Sequence, residues 1–141
     1  MSDDRIRELA ARAASKDATE RWTVAGELGR IPGEEAESVL LALLKDEDYR
    51  VRERAVAALG RRFTPRVASA CAVALADDDD AGHRAAGLAL LVRGGAAGRA
   101  VLLGALQHPS ADVRISAAAA LPGPAPGPET VTAIEAAARR E

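Results

Sequence analysis

Residues 46–60 read Asp46-Glu47-Asp48-Tyr49-Arg50-Val51-Arg52-Glu53-Arg54-Ala55-Val56-Ala57-Ala58-Leu59-Gly60. An acidic turn runs into an alanine-rich helix. Asp48 stands where a side-chain oxygen can accept from the orphan amides of a helix start. Gly60 stands where a left-handed C-terminal residue is wanted. The same phrase recurs on both sides. Arg21, Arg52, Arg84 and Arg114 open similar segments and stand 31, 32 and 30 positions apart. A leucine follows each by seven residues: Leu28, Leu59, Leu91 and Leu121. Such a period is the mark of a repeat architecture.

A second series runs between these segments. Leu44, Leu75 and Leu106 are each 31 apart and each shortly precedes a polar turn. The unit is therefore two helices and a turn. First helices are predicted over 4–15, 34–45, 65–76, 97–107 and 128–140. Second helices are predicted over 18–29, 49–60, 81–92 and 111–121. Asp17, Asp48, Asp80 and Ser110 are the expected N-caps of the second helices. Gly29, like Gly60, is placed to end one. Pro32, Pro65 and Pro128 fall at or near first-helix starts, where a missing N–H costs little. From Arg52 to Leu75 is 23 residues, and so is Arg114 to Ala137. Nothing is inserted, so Pro122–Pro128 reads as an ordinary turn between units; a detached tail is the alternative. The prediction is one all-α domain over 1–141, with units 4–30, 33–62, 64–93 and 96–122 and a capping helix 128–140, about nine helices in all.

Composition agrees. The chain has 141 residues, 48% apolar and 28% charged, which is the balance of a globular chain. Trp22, Tyr49 and Phe63 are its whole aromatic content. Alanine, leucine and valine must build the core, and small side chains let helices approach closely. The formal net charge of -2 argues against a dedicated nucleic-acid binder. The single Cys71 cannot form an internal disulfide. Ser2-Asp3-Asp4-Arg5 has no apolar run behind it and reads as no signal peptide. No apolar stretch reaches the about 18 residues of a membrane span. A cytoplasmic location is expected.

At Asp46–Gly60, and again at His108–Leu121, the sequence resembles the HEAT-repeat superfamily, an armadillo-like α-solenoid class. The likeness is to its short variety, first noted in phycobilisome-type bilin lyases. Glu20 and His83 stand where Val51 and Val113 fill that pattern, so units one and three match less well. The resemblance implies a right-handed α–α superhelix, four helical hairpins plus a closing helix. It also implies that the repeated Arg21, Arg52, Arg84 and Arg114 bridge neighbouring units, with Asp17, Asp48 and Asp80 as their partners. Ser110 interrupts that aspartate series.

One helix pair cannot bury both faces of its apolar stripe, whereas a stack can, and the stack presents a continuous concave surface. At about 10 Å between helices, it would be roughly 40–50 Å long. Second helices should line the concave side. Positions one, two and five after each marker arginine should be exposed there: Trp22, Thr23 and Gly26; Glu53, Arg54 and Ala57; Ala85, Ala86 and Ala89; Ile115, Ser116 and Ala119. Units three and four carry almost no charge in this row, unlike a solvated helix face. An apolar patch of this kind suggests a contact surface for a partner protein or a second copy of the chain. Alanine as neutral filling explains the row equally well. Trp22 and Arg54 are the expected anchors.

Other chemistry is weaker. Arg50, Arg52, Arg54, Arg61, Arg62 and Arg66 form a cluster that could grip phosphate, yet Asp46, Glu47, Asp48 and Glu53 lie among them. Asp77–Asp80 lacks calcium-loop spacing, and helix capping explains it more simply. His83 and His108 have no partner at ligand spacing. Cys71 reads as a small mid-helix hydrophobe. Gly94-Gly95 and Gly98 read as a loose turn. No catalytic, cofactor or metal site is expected. The chain reads as a non-enzymatic protein-binding scaffold or adaptor, with homo-oligomerisation through the apolar patch also open. An accessory bilin lyase or chaperone is an alternative implied by the resemblance alone, and the shortage of aromatics counts against it. Nucleic-acid binding and membership of a longer array are the remaining readings.

Overall fold

The structure is a computed structural model that describes residues 3–121. Helix 128–140 and the Pro122–Pro128 turn lie outside the described residues, as does the end of unit four. Eight helices follow one another with no strand among the described residues. They are α1 (Asp3–Arg12), α2 (Ala18–Leu28), α3 (Glu34–Leu43), α4 (Tyr49–Gly60), α5 (Pro65–Leu75), α6 (Ala81–Arg93), α7 (Gly95–Ala105) and α8 (Ala111–Ala120). Their ends fall within a few residues of the periodicity's prediction.

The helices pair as hairpins and the hairpins stack. Helix α2 packs on α4, α4 on α6 and α6 on α8, so second helices form one layer of a helical solenoid. In the other layer α1 meets α3 and α5 meets α7. The core lies between the layers. The marker leucines Leu28, Leu59 and Leu91 are buried there, with Leu44, Leu75 and Leu106 facing them from the first helices. Each such leucine contributes about 1.5–3 kcal/mol by leaving water. The repeat period is thus the period of core positions.

The caps follow local chemistry. Asp17, Asp48 and Asp80 accept from the amides of Thr19, Arg50 and His83. Ser110 occupies the N-cap of α8 but its side chain makes no cap hydrogen bond. Thr64 caps α5 by accepting from Val67, and Pro65 follows at the first turn.

Three glycine expectations are corrected. Gly29 is right-handed at φ -61, and Gly60 is still helical. Their value is small size: a Cβ on Gly29 would lie 2.9 Å from Ala58 Cβ, and one on Gly60 would lie 3.2 Å from Arg93 Cδ. Each lets the next second helix close in. Gly98 is no turn residue either. It is buried inside α7, where a Cβ would meet the Leu91 carbonyl oxygen at 1.9 Å.

Candidate functional site

The exposed positions of α2, α4 and α6 border a groove of about 1070 Å³. Trp22 contributes from α2, Glu53, Arg54 and Ala57 from α4, and Ala85, Ala86 and Ala89 from α6. Side chains three and four positions apart share a helix face, which is why these project together. Trp22 is 39% exposed, large for an indole. The Arg54 guanidinium stands 4.1 Å from its ring centroid. It also covers Gly26, where a Cβ would come within 2.6 Å of Nη2. One turn of α2 therefore holds Arg54 between an aromatic face and a bare backbone, a cation–π arrangement.

Some expected residues stand elsewhere or differently. Ala86 is buried against the core while still bordering the groove, so a large side chain there would act on packing first. Thr23 is half-buried, and its hydroxyl donates to the Thr19 carbonyl; Thr19 borders the groove in its place. Ile115, Ser116 and Ala119 belong to α8, beyond the groove, with Ile115 52% exposed. Tyr49, Arg50 and Arg93 also border the groove, beyond the expected row. The signal was available: Tyr49 and Arg50 lie one turn before Glu53 and Arg54, and Arg93 one turn after Ala89.

The repeated arginines lie over their own turns, and Arg21 also bridges units one and two, through Asp46 rather than the expected Asp17. Arg21 donates through Nη1 to the Ser15 carbonyl, Arg52 to Asp46, Arg84 to Asp77 and Arg114 to His108. Each lies over its own hairpin turn and satisfies carbonyls that the helix end leaves open. Asp17, Asp48 and Asp80 are turned to helix amides. The carboxylate that meets Arg21 is Asp46, at 2.8 Å from Nε and 3.1 Å from Nη2. That fork joins units one and two, and the hydrogen bonds that Asp46 accepts raise the arginine's pKa above its usual value.

The basic cluster divides. Arg62 donates to the Ile31 and Gly33 carbonyls, and Arg66 to the Glu34 carbonyl. Arg62 thus holds the end of unit two over the turn that opens it, and Arg66 ties unit three to unit two. Arg50, Arg52 and Arg54 face the groove instead. Arg50 pairs with Asp48 at 2.9 Å; that hydrogen bond, with the capping amide, draws the Asp48 carboxyl down to about 2.

The other candidates are held by structure. His83 Nδ1 lies 2.9 Å from Asp77 Oδ2, and this contact lowers the carboxyl's pKa. His108 Nδ1 accepts from the Ser110 amide. Burial pushes the Cys71 thiol up to about 12, far from a reactive thiolate. Among the described residues no three His, Cys, Asp or Glu side chains converge as metal ligands. Among them too, no helix is long and apolar enough to cross a membrane.

Residues 6–92, more than half of the chain, match the family described as HEAT repeats. The chain belongs to the HEAT-repeat family. The match spans α2, α4 and most of α6, the helices that border the groove. HEAT repeats are generally protein-interaction scaffolds and typically non-enzymatic. No curated protein matches the sequence.

Proposed function

We propose that this HEAT-repeat chain is a non-catalytic scaffold or adaptor that holds a partner protein against its concave face, in the cytoplasm. The observation that carries the reading is the groove across α2, α4 and α6, with exposed Trp22 and stacked Arg54 at one end. Tryptophan and arginine dominate binding energy at interfaces, because each buries much surface while keeping a polar handle. Ala85 and Ala89 are exposed on the groove floor, where neither charge nor length obstructs a bound chain. The buried Cys71 fits a reducing compartment.

Panning a random-sequence peptide library on the purified chain tests the reading. Peptides that bind the wild type and fail on the double variant Ala85→Glu, Ala89→Glu are expected. Both alanines are exposed, so the variant should keep its helical circular dichroism. Selected peptides that bind the two proteins equally well would remove the groove from the function.

A further inference from the structure

Charge around the groove is not distributed like charge on the chain. The whole chain is formally -2. The charged side chains bordering the groove are Arg50, Arg52, Arg54 and Arg93 against Glu53. Four cations and one anion leave this surface formally positive. Of the four, only Arg50 has a carboxylate partner among the described residues, its near neighbour Asp48. Arg52 is positioned through Nη1 by the Asp46 and Glu47 carbonyls. Its guanidinium lies over Gly82, where a Cβ would come within 2.7 Å of Cζ. Arg54 is held by Trp22, and the stem of Arg93 rests on Gly60. The guanidinium groups of Arg52 and Arg54 are thus held in place and Arg93 is steadied by its stem, and none of the three has a carboxylate partner among the described residues. Such groups lose little side-chain freedom on meeting an anion.

We propose that the groove takes an extended acidic segment of a partner protein, its carboxylates on Arg52, Arg54 and Arg93 and its small side chains on Ala85 and Ala89. This rests on the scaffold reading. From α2 to α6 are two helix spacings, about 20 Å. An extended chain covers that distance in about six residues. The planar guanidinium takes a carboxylate through two parallel hydrogen bonds. A nucleic acid fits less well, because the lining offers two aromatic side chains for base stacking, Trp22 and Tyr49, and Arg54 already covers the indole.

Trp22 is the chain's one tryptophan, so its emission reports groove occupancy directly. The probe is a peptide of about eight residues alternating Glu and Ala, long enough for the span. The expected result is a saturable change in Trp22 emission that a Lys–Ala peptide does not produce. The change should weaken strongly at about 1 M salt, where charges are screened beyond ~3 Å. Arg93→Glu should lower the affinity at least about threefold, and Glu53→Lys should raise it about threefold. A gain on Glu53→Lys cannot come from misfolding.

Several results overturn the proposal: silence of Trp22 toward the acidic peptide, an equal response to the basic one, or indifference to Glu53→Lys. A response to oligothymidylate alone would assign the arginines to nucleic acid. Emission of the unliganded protein that changes on dilution would assign the groove to a second copy. If panning yields groove-dependent peptides without acidic residues, the scaffold reading stands and the acidic preference falls.

Discussion

The junction between units one and two and the junction between units two and three begin from the same sequence relation. An arginine on the second helix is followed 25 positions later by an aspartate: Arg21 and Asp46, then Arg52 and Asp77. At the first junction the two side chains meet in a fork and both are largely covered, at 9% and 7% exposure. At the second, Asp77 is held instead by His83 at 2.9 Å, with Lys45 at 3.6 Å. Arg52 then has only turn carbonyls as partners among the described residues, and its guanidinium borders the groove. The position of His83 explains the change. Where the second unit has Val51 one residue before its marker arginine, the third has His83, an imidazole that reaches its own turn's carboxylate. Equivalent repeat positions therefore share core packing but not polar pairing. A pair lost at one junction leaves a cation available at the surface.

The comparison can be broken in graded ways. The largest effect is expected from Leu59→Ala, because Leu59 is fully buried on α4, the helix packed against both α2 and α6. A loss of about 2–5 kcal/mol is expected in urea unfolding, from lost burial and the cavity left behind. Next comes Asp46→Asn, which leaves the buried Arg21 with the exposed Glu47, 3.8 Å away, as its remaining ion-pair partner. Deeply buried pairs cost more, but this one lies near the surface of the stack, so about 2–3 kcal/mol is expected by the same measurement. Asp77→Asn should cost clearly less than Asp46→Asn, since Asp77 is more exposed. Equal losses would mean the junctions are energetically alike.

The smallest effect is a pH dependence at Asp48. Its folded-state pKa, about 2, is below the ordinary value of 3.8, so its contribution is present above about 3.8 and lost as pH falls toward 2. Asn also caps helices well but does not titrate here. Asp48→Asn should therefore flatten part of the decline in melting temperature between those pH values. An unchanged slope would show that Asp48 gains nothing from Arg50.

Repeat length, helix order and the buried leucines were legible without coordinates, because core positions must recur wherever identical hairpins stack. The caps Asp17, Asp48 and Asp80 were legible too, since capping depends on residues two or three apart. Trp22 and Arg54 could be placed on one face by helical spacing alone. Their stacking could not, because it depends on the distance between α2 and α4 and on the space left by Gly26. Nor could the choice of Asp46 over Asp17, the buried state of Ala86, or the end of the groove at α6. Those depend on which side chain reaches first across a gap between helices. Local sequence governs the periodic burial; the packing of one unit on the next decided the polar partners and the shape of the surface.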